Sequence, residues 1–364
     1  MPATRHDGRT ALQRAASLMQ LPGLLAQFGV GLDEVLAGTG VTTDQLRPDG
    51  FIPYSAFLAI LDNACRATGR DDIGLQLGQR QTLVALGPLG VAMRHAATLG
   101  EAIGAFVSFQ IGNSTGGAVY LIRAEQDVIL GYGVYDQTVH ASPQIYDMVL
   151  AVGCNLISEL TQRAVGPAEI LLSRPAPGDA APYQRLGRCP VRFGQSQTGL
   201  LLTHDSLAFR LPEADTGRHE QARSGLASAL EDSQRDMSGH VRHLLRPQLL
   251  MGQAGMEDVA LRLGLHPRTL RRRLRQEGTS FEAIKDEVRH AAACEMLMLG
   301  ALGIADIAFT LDYASVSAFA HAFRRWSGMS PGRWREERGG VSSPVKEAGE
   351  ELRSPDSRTP RPAR

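Results

Sequence analysis

Five arginines crowd one short stretch in the last third of this chain: Arg268, Arg271, Arg272, Arg273 and Arg275, interleaved with Leu270 and Leu274. On a helix the two leucines, four residues apart, share one face. Arg268, Arg271, Arg272 and Arg275 then lie on the other, with Arg273 nearby. A guanidinium is a planar fork of donors that matches guanine O6 and N7, or phosphate oxygens. A helix so lined and exposed beyond its partner suits a DNA major groove. Arg268, Arg271 and Arg272 are assigned to base edges. Arg275 is assigned to phosphate, which positions without specifying. A solvated basic face is the plainer reading of any charge cluster, and the surroundings decide against it.

Those surroundings occur twice. Val259-Ala260, Leu263-Gly264-Leu265, Leu270 and Leu274 are echoed by Ile307-Ala308, Leu311-Asp312-Tyr313, Phe319 and Phe323. The offset is 48 residues before the turn and 49 after it, so the second turn carries one extra residue. Each copy gives a short amphipathic helix, a break and a second helix facing the first, which is the helix–turn–helix pattern. In the first copy residues 256–263 support, Gly264 turns the chain, Pro267 fits the first helical position and Gly278 ends the helix. In the second copy the reading helix spans residues 316–326, with Phe319, Phe323 and Trp326 as an inward core stripe. Its outer face offers Ser317, Ala320, His321 and Arg324, with Arg325 close by. Ser317 and His321 are assigned to base edges, Arg324 and Arg325 to phosphate, and this unit is expected to be the less sequence-specific. The helix between the units, Phe281–Leu299, carries Ile284, Val288, Ala291, Ala292 and Met296. It is suited to hold two reading helices about 34 Å apart, one turn of DNA.

The elements upstream are of another kind. Residues 14–115 read as mostly helical, with a helix over 53–67 closed by Gly69 and shorter ones over 71–79 and 99–111. Residues 118–123 and 128–134 alternate like strands, 142–164 return to a long helix, and 170–172, 191–193 and 200–203 are further short strands. The expected fold is an α+β domain over 14–210, connecting helices over 211–250, and an all-α domain over 251–338 with two helix–turn–helix units joined by a linker helix. Within the connection, Met237–Leu250 is amphipathic and suited to pack on either domain. The Pro-, Ser- and charge-rich tail, 339–364, is expected to be disordered.

Composition narrows the classes. The 43% hydrophobic content supports real cores, and a formal net charge of zero means that any nucleic-acid contact must come from a local patch. Neutrality also speaks against a nonspecific architectural DNA protein, whose affinity would rest on dense phosphate binding. Cys65, Cys154, Cys189 and Cys294 are scattered, without a Cys-x-x-Cys pair. That pattern argues against zinc or a disulfide framework and for a reducing cytosol. The arginines and aspartate among the first twenty residues exclude a signal peptide, and no apolar stretch approaches a membrane span. A cytoplasmic protein without metal or cofactor is expected, and His240 with His243 lacks a third ligand. No phosphate loop, nucleophile elbow or activated cysteine marks an enzyme, including a DNA-repair alkyltransferase carrying this kind of domain.

Two stretches carry a resemblance. Leu263-Gly264-Leu265-His266-Pro267-Arg268-Thr269-Leu270-Arg271-Arg272-Arg273-Leu274 and Gly328-Met329-Ser330-Pro331-Gly332-Arg333-Trp334-Arg335 make residues 256–335 look like the DNA-binding domain of the AraC/XylS family of bacterial regulators. Leu75-Gln76-Leu77-Gly78 and Cys189-Pro190-Val191-Arg192-Phe193-Gly194 extend the likeness into 14–210. That part resembles the ligand-binding domain of the subgroup containing ornithine-utilisation regulators. Two departures matter. His266 stands where the family often has Ser or Thr, and caps a helix less well. Ala320-His321 stands where the family often has Ser-Arg, which shifts specificity toward Arg268, Arg271 and Arg272.

The resemblance implies a transcription regulator whose first domain binds a small effector, mediates self-association as a homodimer, or both. An activator is expected, which binds double-stranded promoter DNA and contacts RNA polymerase. For the effector, Phe106 and Phe109 with Tyr132 and Tyr135 are placed to line an apolar cavity, while Arg94, His95 and His140 are placed to meet a carboxylate. The candidate effector residues are Phe106, Phe109, Tyr132 and His140, with ordinary packing as the alternative for each.

Overall fold

The computed structural model describes residues 10–124, 127–134, 142–177, 179–232, 237–250, 254–299 and 302–337. The chain begins with strand β1 (Leu12–Arg14), helices α1 (Leu21–Ala26) and α2 (Leu32–Leu36), and strand β2 (Phe51–Pro53), antiparallel to β1. Helix α3 (Tyr54–Thr68) follows Pro53 directly and ends at Gly69, which takes the left-handed conformation. Then come α4 (Ile73–Gly78), α5 (Pro88–Arg94) and α6 (Leu99–Phe109). The strands are β3 (Gly117–Ala124), β4 (Asp127–Val134), β5 (Glu169–Leu171), β6 (Val191–Arg192) and β7 (Thr198–Leu202). Between and after them lie α7 (Pro143–Leu160), α8 (Ala181–Gly187) and α9 (His204–Ala208).

The five strands form one sheet in the order β3-β4-β7-β5-β6, antiparallel except for the β5–β6 pair. Register decides what each face carries. Val119 lies opposite Tyr132, which lies opposite Thr198, and Leu130 lies opposite Leu200. These five side chains therefore share one face, the one toward α3, α6 and α7, while Tyr120 and the bare backbone of Gly131 and Gly133 belong to the other. The apolar core of this α+β domain is continuous from Ala15 to Leu211.

The expected connecting segment divides. Helix α10 (Thr216–Asp232) packs on α5 and α6, with the His219 ring Nδ1 2.8 Å from the Ala92 carbonyl. Helix α11 (Met237–Leu250) instead sends Met237, Val241, Leu245 and Leu249 into one cluster with Val259, Leu270 and Leu274. The C-terminal domain continues with α12 (Met256–Arg262), α13 (Pro267–Gln276), α14 (Phe281–Leu299), α15 (Ile304–Thr310), α16 (Val316–Ser327) and α17 (Pro331–Glu337). Helix α14 belongs to two cores. Phe281, Ile284 and Val288 bury into the α11–α13 cluster, whereas Ala292, Ala293, Met296 and Leu297 bury against α15, α16 and Trp334. One 19-residue helix, about 28 Å long, thus joins the two small modules rigidly.

The tail 339–364 lies outside the described residues. No helix among those described is long and apolar enough to cross a membrane.

Candidate nucleic-acid interface and effector cavity

Both turns follow the repeat. Gly264 (φ +64°) reverses the chain between α12 and α13, and Asp312 (φ +61°), its counterpart 48 residues on, does so between α15 and α16. Asp is one of the few non-glycine residues that tolerate this conformation. Its carboxylate also faces Arg289 at 3.6 Å. The next position of interest is the cap. Ser315 Oγ accepts from the Ala318 N–H at 3.1 Å, and in the first unit the His266 ring Nδ1 accepts from the Arg268 N–H at 3.2 Å. His266, expected to cap less well than Ser or Thr, does cap α13: its ring nitrogen reaches a backbone donor of the first turn.

Leu270 and Leu274 are fully buried, and Arg268, Arg271, Arg272 and Arg275 are all exposed on the opposite side of α13. The side chains of Arg268, Arg272 and Arg275 have no ion-pair or hydrogen-bond partner among the described residues. Arg271 touches only the Met256 sulfur, at 3.8 Å. Four exposed cations without internal counter-ions form a local positive surface on a neutral protein. On α16, Phe319 and Phe323 are buried, while Ser317, His321, Arg324 and Arg325 are exposed. Arg325 differs from the rest, because Asp286 on α14 holds its guanidinium at 2.8 Å. The aromatic stripe is a core: Phe319 and Phe323 lie 5.7 Å apart, and Phe323 meets Trp334 edge-on at 5.9 Å.

The α+β domain holds a cavity of about 110 Å³, measured as space open to the centre of a water-sized sphere. Its floor is the Val119, Leu130, Tyr132, Thr198 and Leu200 face of the sheet, and α7 covers it with Ile145, Met148 and Val152. Of the four candidate effector residues, Phe106 and Tyr132 line it. Phe109 does not, lying half-buried against the domain core, and His140, like Tyr135, lies outside the described residues. Arg94 and His95 are elsewhere and already engaged. Arg94 meets Glu159 at 2.5 Å and Glu213 at 3.2 Å, and His95 Nδ1 lies 2.9 Å from the Glu213 carbonyl. The carboxylates Arg94 meets are the protein's own.

Sequence reasoning missed what lies behind the cavity floor. Arg246 on α11 reaches across β4 at Gly133, where a Cβ atom would come within 2.1 Å of its Nε. It donates to the Val134 carbonyl at 3.3 Å and to Glu295 Oε2 on α14 at 2.5 Å, and both partners are almost completely buried (3% and 4% exposed). Burial raises the Glu295 carboxyl pKa, opposed by the Arg246 charge and a Val134 backbone hydrogen bond. Around this pair stand buried tyrosines: Tyr54 and Tyr132 share a 2.6 Å hydroxyl–hydroxyl hydrogen bond, and Tyr146 packs edge-on to Tyr132. Burial, then the Glu295 charge, push the Tyr146 phenol well up. One sheet thus separates the cavity from α11 and α14, the helices whose cluster includes Leu270 and Leu274 of α13. A nearby signal existed in the sequence: glycines flanking Tyr132 inside a strand mark a close approach of other groups.

The fold and these surfaces define a transcriptional regulator with a helix–turn–helix DNA-binding domain behind a ligand-binding-type domain. Comparison with known proteins agrees. Residues 29–211 match the family described as the arabinose-binding domain of AraC transcription regulators, N-terminal, and residues 259–337 match a helix–turn–helix domain family. The chain is 33% identical over 303 residues to the HTH-type transcriptional regulator VirS of Mycobacterium tuberculosis, covering 81% of this chain and 87% of that protein. It is 26% identical over 325 residues to the ornithine utilization regulator of Pseudomonas aeruginosa, covering 86% and 93%. The crystal structure of the transcriptional regulator CdpR from Pseudomonas aeruginosa aligns with 84% of this chain and 96% of that one, at a TM-score of 0.41 and 24% identity. The chain belongs to the AraC/XylS family of bacterial transcription regulators. Its relatives are named as regulators, not as enzymes.

Proposed function

We propose that this protein is a cytoplasmic, effector-controlled activator that inserts α13 and α16 into successive major-groove segments of promoter DNA. The observation that carries this reading is the exposed, internally unpaired arginine face of α13, set opposite Leu270 and Leu274. Arg268, Arg271 and Arg272 read base edges there and Arg275 holds phosphate. On α16, Ser317 and His321 reach base edges more weakly, and Arg324 holds phosphate. Arg325 does so only if it exchanges Asp286 for the backbone. Helix α14, buried at its two ends in different modules, fixes their separation.

Effector control enters through the cavity. A molecule there touches Tyr132, whose strand is clamped from behind by Arg246 and Glu295, so a shift in β4 reaches both α11 and α14. Contact with RNA polymerase and pairing into a homodimer complete the reading by family likeness. Arg272→Ala tests the DNA assignment: it is expected to cost about 1–3 kcal/mol at one base pair of the operator and little elsewhere. An equal loss on every sequence, with a salt slope reduced by about one, would make Arg272 a phosphate contact and overturn its assignment.

A further inference from the structure

Helices α13 and α16 stand in one register, and that register bears on what the second of them reads. Their first helical residues, Pro267 and Val316, are 49 positions apart. At the same offset Leu270 and Leu274 correspond to Phe319 and Phe323, and all four are fully buried. The two helices therefore turn corresponding sides outward. Pro267, Arg271 and Arg275, four apart, form one line along α13, beside Arg268 and Arg272. On α16 the same line is Val316, Ala320 and Arg324, beside Ser317 and His321. The arginine that closes the line is kept. The three base-edge arginines of α13 give way to Ser317, Ala320 and His321.

Where α13 offers guanidinium forks, α16 thus offers apolar surface. Val316 is 37% exposed, a large apolar side chain left on the reading helix, and Ala320 lies half-buried one turn further on. From Val316 to Phe323 only His321 can carry a charge. We propose that Val316 and Ala320 read thymine: they meet the C5-methyl group of a thymine in the DNA element under α16, whereas the element under α13 is defined by guanine. This rests on the reading of α13 and α16 as groove-inserted helices. The thymine methyl is the apolar group that a base pair displays in the major groove, and burying it against valine and alanine removes both from water. Guanine and adenine present donors and acceptors at that edge, which an apolar side chain would dehydrate without a partner.

The test uses the full-length protein and a duplex that it selects from random-sequence DNA. Each thymine of the selected motif is replaced singly by deoxyuridine, which removes only the methyl group, and affinity is read by fluorescence anisotropy at fixed salt. At one or two positions, all within one element, the replacement is expected to weaken binding about fourfold, the worth of one buried methyl. Val316→Ser is expected to weaken the thymine duplex and to bind the thymine and deoxyuridine forms equally at a contacted position. That comparison is made within one protein, so a partial loss of folded material does not disturb it. Ala320→Arg, which restores the residue of the first unit, is expected to shift the preference at a contacted base pair from thymine toward guanine. If deoxyuridine is tolerated throughout, or if Val316→Ser keeps the full discrimination, the thymine assignment is overturned while the two-helix reading stands. If the selected DNA holds no motif of two elements, the two-helix reading fails and the thymine assignment falls with it.

Discussion

The two helix–turn–helix units share a backbone plan and differ in what they present. The first turns on Gly264, is capped by His266, and packs a mainly aliphatic core beneath a helix whose arginine side chains have no internal counter-ion among the described residues. The second turns on Asp312, is capped by Ser315, and spends its bulk on an aromatic core of Phe319, Phe323 and Trp334. Its outer face is nearly neutral, and Arg325 is already paired. The first unit also includes α11, which carries Arg246 to the back of the α+β sheet. The second shares helix α14, which carries Glu295 to the same sheet. Duplication of a fold unit therefore does not duplicate its surface: one copy presents unpaired arginines, and the other is built around an aromatic core.

The sharpest way to break this contrast is to remove the anchor. Phe323→Ala empties the aromatic core and is expected to cost about 3–5 kcal/mol, confined to the second unit. Hydrogen exchange should show α15 to α17 unprotected while α12 and α13 keep their protection. Loss of protection in both units at once would mean that they form a single cooperative core.

Next is the clamp. Glu295→Ala leaves Arg246 buried without its partner and is expected to cost about 3–5 kcal/mol of the docking between the domains. Limited proteolysis at the connection between α10 and α11 should accelerate, and Gly133→Ala should do the same by displacing Arg246 from β4. An unchanged cleavage rate in both variants would show that the ion pair does not hold the domains together.

A smaller effect is expected at the cap. His266→Ala should cost about 1 kcal/mol and fray the start of α13. No loss of helix-end protection would return that imidazole to the solvent.

At neutral pH the smallest effect is one that acid brings out. His243 on α11 lies 3.2 Å from the Val107 carbonyl of α6, and burial, the leading cause, lowers its pKa from 6.5 to about 4. An undocked His243 returns toward 6.5 and binds the extra proton between those values. The docked state is thus at full strength above pH 6.5 and weakens as the pH falls toward 4. His243→Gln should flatten that dependence in a proteolysis series, and a series unaffected by the substitution would remove His243 from the interface.

Much of this was legible in the sequence because it is local. The 48-residue echo, the glycine at the first turn, the leucine and phenylalanine pairs and the alternation of β3 and β4 all depend on neighbours a few positions apart. The arginine face followed from the same periodicity. What escaped depends on distant pairing. Arg246 and Glu295 are 49 residues apart, and Glu295 sits within a helix whose apolar residues gave the only visible signal. Phe106 and Phe109 could not be told apart, since which of them faces the cavity is decided by the sheet that covers the helix. That the His266 ring nitrogen takes up the cap depends on side-chain geometry, which residue preference does not supply.

The most direct test of the two-unit reading is recovery of genomic DNA fragments by the purified full-length protein at physiological salt. A motif with two elements about one helical turn apart is expected, the element under α13 being the more strictly defined. Fragments recovered without any common motif, with affinity set by salt alone, would contradict it.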